Sequence, residues 1–187
     1  AAQPSRASAD VDRLFPAGFE EQRAAAEVAL SQGLTVLTGG PGTGKTTTVA
    51  RLLALLAGGS KLRIALAAPT GKAAARLQEA VQMEVDKLSA VDRAALAGLQ
   101  ATTLHRLLGS RPDTSARFRH NRANRLPHEV IVVDETSMVS LTMMARLLEA
   151  VRPDARLILV GDPDQLASVE AGAVLADLVD GLGGSRI

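Results

Sequence analysis

The 187-residue chain is long enough for one domain with a substantial core, and its 47% apolar content is ordinary for a globular protein. Without cysteine it has neither disulfides nor thiolate metal sites, and no apolar run nears the ~20 residues needed to cross a bilayer. A net charge of +1 gives no bulk attraction to polyanions, although residues 106–125 hold six arginines against one acid, Asp113.

In chain order, residues 1–18 read as an N-terminal tail. The polar, small residues at its start do not resemble a secretory signal, which with the lack of cysteine suits a cytoplasmic protein. Residues 19–187 read as one lobe. Phe19 to Leu30 is predicted helical, with Phe19, Ala26, Val28 and Leu30 as its apolar positions. Leu34–Thr38 follows as a strand, Lys45–Leu56 as a helix, Leu62–Ala68 as a second strand and Gly71 to about Gln82 as a helix. A further helical stretch covers Ala90–Leu99. Gln100–Thr102 is a short strand, and Thr103 caps a helix over Leu104–Leu108. Gly109–Pro127, broken by Pro112, Asp113, Asn121 and Asn124, reads as a long loop with room for a small hairpin. Strands Glu129–Asp134 and Arg156–Val160 flank a helix over Leu141–Val151, and a last helix spans Gly172–Leu182. Such alternation implies crossover connections, hence a three-layer α/β domain with a mostly parallel sheet.

The chemistry lies at three strand ends. Gly39-Gly40-Pro41-Gly42-Thr43-Gly44-Lys45-Thr46 fits the phosphate-loop pattern G-x-x-x-x-G-K-[ST] between a strand and a helix. Backbone N–H groups at a helix start converge on an anion, and the helix dipole adds to the attraction. Lys45 is expected on the β- and γ-phosphates and the Thr46 hydroxyl on Mg²⁺, with Thr47 next in the binding segment. Asp134 and Glu135 close the Val130–Val133 run. There Asp134 can back the Mg²⁺ and Glu135 can act as the base toward water, and alternation along a strand would send the two carboxylates to opposite sides. Gln165, after Gly161-Asp162-Pro163-Asp164, can orient the lytic water or touch the γ-phosphate. Gln22, 17 residues before Gly39, is either a reader of the adenine edge or a surface glutamine on an amphipathic helix. The set amounts to an ATP·Mg²⁺ site with Lys45, Glu135 and Gln165 as its catalytic members.

Read together, Glu21-Gln22, Gly39–Thr46, Ala68-Pro69-Thr70-Gly71-Lys72-Ala73-Ala74, Thr103-Leu104-His105, Asp134–Met138 and Gly161–Leu166 resemble the motifs of superfamily 1 helicases. Ala67–Leu77, Arg119-His120-Asn121 and Asp164–Gly172 are closer still to the RecD family, the alpha subunit of exodeoxyribonuclease V. That resemblance implies a RecA-like phosphate-loop NTPase lobe of a bacterial DNA-dependent ATPase that moves 5′ to 3′ on single-stranded DNA. It further implies RecB and RecC as partners in repair of double-strand ends, and no membrane. By the same likeness Thr70, Lys72, Thr103 and His105 lie along the DNA, although both threonines suit helix caps equally well.

The first residue is not Met, and the RecD pattern stops after its first motor lobe, so a fragment is expected. The resemblance places the second lobe and its arginine finger outside this sequence. The chain has no Trp or Tyr, and none of Phe15, Phe19 and Phe118 falls in a motif assigned to DNA. Base stacking is therefore not expected in this lobe, and grip should come from phosphate contacts that weaken with salt. A stand-alone RecD-like helicase, a nucleotide-gated assembly module without catalysis and a phosphate-loop kinase are the competing readings.

Overall fold

The computed structural model describes residues 10–38, 44–111 and 114–162, with residues 111 and 114–117 in backbone only. Its elements are α1 (Glu20–Ser31), β1 (Leu34–Thr38), α2 (Lys45–Ala57), β2 (Ile64–Ala68), α3 (Gly71–Val85), α4 (Ala90–Ala95), β3 (Ala101–Thr103) and α5 (Leu104–Leu108). A small hairpin, β4 (Ser110–Arg111) and β5 (Thr114–Phe118), precedes β6 (Val130–Val133), a 3₁₀ turn at Thr136–Met138, α6 (Leu141–Ala150) and β7 (Arg156–Gly161). Five strands form one sheet in the order β1-β7-β6-β2-β3, and every pairing in it is parallel.

Parallel strands joined by helices are buried on both faces, and the side chains sort by parity. Leu37, Leu66, Val130, Val132, Ile158 and Val160 enter one core with α1, α2, α3 and α4. Their neighbours Val36, Ala65, Ala67, Ile131, Val133, Leu157 and Leu159 enter the other, with α5 and α6. Each buried Val, Leu or Ile contributes about 1.5–3 kcal/mol, so neither face can be left open. The expected three-layer architecture is therefore what the structure shows. Local chemistry starts the helices: the side chains of Thr70, Ser89, Thr103 and Ser140 each accept a hydrogen bond from the N–H three residues on.

Some boundaries and faces differ from expectation. Strand β2 begins at Ile64 rather than Leu62, and α4 stops at Ala95 before Gly98, whose φ is +80°. In α1 the buried residues are Ala25, Ala26 and Ala29, while Val28 and Leu30 are only half-buried. Small side chains let α1 lie close against α2 and β1. The stretch predicted as a long loop does contain a hairpin, β4–β5, and the helix predicted over Gly172–Leu182 lies outside the described residues.

The described part of the predicted tail is part of the core. Residues 10–14 are helical, and Val11, Leu14 and Phe15 are buried. Two arginines hold this strap. The Arg51 guanidinium of α2 donates to the Leu14 carbonyl and lies 4.6 Å from the Phe19 ring centroid. Arg13 Nη1 reaches Asp92 Oδ2 of α4 at 2.6 Å, and Ser89 Oγ donates to the same oxygen at 2.8 Å. Burial opposes ionisation of Asp92, yet the hydrogen bonds from Arg13 and Ser89 hold its carboxyl below the usual carboxylate range. A depressed carboxylate stabilises the fold above its ordinary titration range and loses that effect as pH falls through its folded value. Arg13→Ala should therefore cost about 1–2 kcal/mol at pH 7, the charged hydrogen bond being discounted because Arg13 is half exposed. Urea denaturation should show that cost shrinking at acid pH as Asp92 takes up its proton. A loss that stays constant across the acid range would place the effect in Arg13 packing alone.

Candidate nucleotide-binding site

The phosphate-loop helix starts where the sequence places it. Gly44 is its N-cap with φ +81°, a left-handed conformation that favours glycine, and it offers no side chain to cap the first N–H groups. Thr48, which the motif pattern does not single out, is fully buried and donates its hydroxyl to the Gly44 carbonyl at 2.9 Å. That bond fixes the first turn beneath Lys45, Thr46 and Thr47. Gln22 of α1 comes against Gly44: its amide nitrogen lies 3.1 Å from where a β-carbon on that glycine would sit. Gly39, Gly40, Pro41, Gly42 and Thr43, and also Gln165, lie outside the described residues.

Strand parity carries the acids to the helix side. Asp134 continues the parity of Val130 and Val132, and Asp162 that of Ile158 and Val160, toward the layer that contains α2. Glu135 breaks the alternation. Its φ of +49° makes it the one non-glycine residue with positive φ among those described. The two carboxylates are thus divided by a left-handed backbone rather than by the strand alternation expected of them, at a cost of about 1–2 kcal/mol. Asp134 Oδ1 accepts the Glu135 N–H at 2.8 Å and holds that turn. Behind it, the buried Thr136 hydroxyl lies 2.9 Å from the Val160 carbonyl and 3.2 Å from that of Val133, tying the ends of β6 and β7 together.

These elements enclose a cleft of about 190 Å³ lined by Lys45, Thr46, Asp134, Glu135, Ser137 and Asp162, among others. Four of the residues predicted from sequence meet there. Asp162 and Ser137 were not predicted as site residues: both stood only as members of motifs, Gly161–Leu166 and Asp134–Met138. Burial pushes the Asp134 carboxyl above its ordinary range, an effect that the Glu135 N–H and the Lys45 charge partly oppose. A cation placed nearby would favour its ionised form. Among the described residues no cluster of three His, Cys, Asp or Glu side chains could hold a metal ion by itself. The donors fit Mg²⁺ as phosphate-loop sites use it, with the Thr46 hydroxyl and phosphate oxygens as ligands and a carboxylate behind them.

The residues assigned to DNA lie further along the same rim. Strands β2 and β3 pair with Ala68 opposite Thr103, which sets the start of α3 beside the start of α5. The Thr70 hydroxyl accepts from Ala73 N at 3.1 Å and Thr103 from Arg106 N at 3.2 Å, so both are helix caps. A capping hydroxyl still has its own proton to donate. Lys72 and His105 are exposed. A roomier groove of about 640 Å³ runs between α3 and β3 and opens beside Gly71, Thr103 and Arg106.

Residues 22–171 match one protein family, the AAA domain. The chain belongs to that family. Membership implies nucleotide binding. The likeness to RecD read from the motifs is borne out as well. The chain is 80% identical over 188 residues to the RecBCD enzyme subunit RecD of Mycolicibacterium smegmatis, covering 97% of this chain and 34% of that protein. It is 47% identical to the RecD subunit of Haemophilus influenzae, over 90% of this chain and 28% of that protein. It is 44% identical to the ATP-dependent RecD2 DNA helicase of Deinococcus radiodurans, over 85% of this chain and 19% of that protein. The chain thus spans about a third or less of these relatives' length. Among solved structures, the large terminase of bacteriophage HK97 superposes with a TM-score of 0.59 at 14% identity, over 98% of this chain and 42% of the terminase. The RNA helicase Prp28 of Chaetomium thermophilum, solved with ADP, superposes with a TM-score of 0.51 at 18% identity, over 93% of this chain and 46% of that protein. They share the fold, that of RecA-like phosphate-loop domains.

The raised Asp134 carboxyl yields a test. Between the ordinary carboxylate range and the raised folded value, the folded state binds more protons than the unfolded one, so stability falls as pH rises through that window. Asp134→Asn should raise the melting temperature of the nucleotide-free chain at neutral pH, with the gain vanishing below the ordinary carboxylate range. Thermal denaturation at several pH values measures this; a variant less stable than wild type at neutral pH would contradict the burial of an unfavourable charge.

Proposed function

We propose that this chain is the ATP-binding first motor lobe of a RecD-type DNA helicase. Such an enzyme hydrolyses ATP to move 5′ to 3′ along single-stranded DNA, and works with RecB and RecC at double-strand ends in the bacterial cytoplasm. The observation that carries the reading is the meeting of Lys45, Thr46, Asp134 and Glu135 in one cleft at the rim of the parallel sheet. Identity to RecD subunits over nearly the whole chain supports the assignment. No helix among the described residues is long and apolar enough to cross a membrane.

In this reading the start of α2 and Lys45 bind the phosphates, and Gln22, seated against Gly44, reads the base. Thr46, with Asp134 behind it, would hold Mg²⁺, which neutralises charge on the phosphates. Glu135 takes the proton of the attacking water, and Gln165 orients that water. Thr70, Lys72, Thr103 and His105 grip the DNA on the neighbouring stretch of rim, the hydroxyls by donating to phosphate oxygens. Identity to the Deinococcus helicase favours a second reading, in which the parent protein works alone. Purification of the full-length protein with or without large partners separates the two.

Two outcomes test the catalytic assignment. In the full-length protein, Lys45→Ala should abolish nucleotide binding, whereas Glu135→Gln should retain it and lose roughly 10²–10⁴ in turnover. Fluorescent-nucleotide titration and phosphate release read both, and normal turnover by Glu135→Gln would refute its role as base. The 187-residue chain alone should hydrolyse ATP slowly, because an arginine finger contributes about 10³–10⁵ in related enzymes and is placed here on another lobe. Rapid, DNA-stimulated hydrolysis by the isolated chain would overturn that placement.

A further inference from the structure

The sequence puts no aromatic residue other than His105 in a motif assigned to DNA, but the fold brings one there. Phe118, at the end of β5, meets the His105 ring edge to face, with centroids 6.0 Å apart and planes at 61°. The contact is built from both sides. The backbone of Arg119 donates to the Gly109 carbonyl and that of His120 to the Leu108 carbonyl, both at 2.9 Å, so the hairpin is fastened to the end of α5. Gly109 has φ +74°, and a β-carbon there would lie 2.6 Å from that of Arg119, so glycine is required for this approach. Phe118 packs against the core cluster that contains Leu104 and Leu108.

His105 is exposed at the sheet rim, in the first turn of a helix whose cap is Thr103. Its ring is braced by Phe118 rather than left to rotate, which lowers the entropy lost when something stacks on it. Arg106, next to His105 in the chain, and Arg119, next to Phe118, are both exposed and bring positive charge to the two ends of the pair. A braced aromatic face bordered by arginines and a hydroxyl is how sequence-independent binders hold single strands: bases stack on the ring while cations take the phosphates.

We propose that the His105–Phe118 pair is a stacking platform for one base of single-stranded DNA, with His105 in contact with the base and Phe118 positioning His105. The proposal deepens the DNA-binding reading above and rests on it. The test uses the full-length protein, with its subunits if it has them, and two labelled oligonucleotides of equal length, oligo-dT and its abasic counterpart. Both carry the same phosphates, so their affinity ratio isolates the bases. Wild type should prefer oligo-dT. His105→Ala, at an exposed site where folding is not at risk, should reduce that preference roughly five- to a hundredfold, with the salt dependence unchanged. His105→Phe should keep the preference. Phe118→Leu, which conserves an apolar side chain, should reduce it in the same direction. Arg119→Ala should weaken both oligonucleotides alike and flatten the salt dependence by about one ion. An unchanged affinity ratio in His105→Ala would overturn the platform and leave the DNA reading standing. Failure of wild type to bind either oligonucleotide would overturn both.

Discussion

Parallel pairing of β1, β7 and β6 governs where chemistry can occur in this molecule. Because the three strands run the same way and are bonded side by side, their C-terminal ends reach one rim together. Side-chain parity then decides which layer each residue faces. Asp134 and Asp162 share the parity of residues that pack toward α2, and α2 is the helix that begins with Lys45 and Thr46. The cleft is a consequence of the sheet, whose two apolar faces hold the strands in a register that brings Asp134 and Asp162 to one cleft with Lys45 and Thr46.

The same rim continues to β2 and β3. The order of the sheet puts these two strands on the side of β6 away from β1, so the nucleotide end and the edge with Thr70 and Thr103 are separate stretches of one border. Asp134 N donates to the Ala67 carbonyl of β2 at 2.9 Å, one residue before the end of the strand that leads to Thr70. A change at the Asp134 turn therefore bears directly on the strand that carries the start of α3. The two stretches are joined by backbone hydrogen bonds rather than by a mobile linker.

Much of this was legible in the chain. The phosphate-loop spacing identified the start of α2, and apolar runs at 130–133 and 157–160 marked buried strands. The alanine face of α1 was not legible, because hydropathy ranks Val28 and Leu30 above the Ala25, Ala26 and Ala29 that close packing selects. Nor was the burial of Leu14 and Phe15, which lie in a segment too short to show periodicity. The left-handed Glu135 has no sequence signature, since glutamate is not a residue that favours positive φ. The meeting of Phe118 with His105 depends on how a hairpin folds back across 13 residues, and local pattern carries no such information. Gln165 and residues 39–43 remain readings of sequence, being outside the described residues.

The strap at residues 10–15 has a mechanical corollary. Its backbone is fastened through the Leu14 carbonyl to Arg51, which stands on the helix that begins with Lys45. The strap is pinned again to Asp92 on α4. Tension drawn along the backbone toward the N-terminus is thus delivered into α2 and α4 instead of being taken up by slack. The lobe is leashed at the element whose first turn carries Lys45 and Thr46.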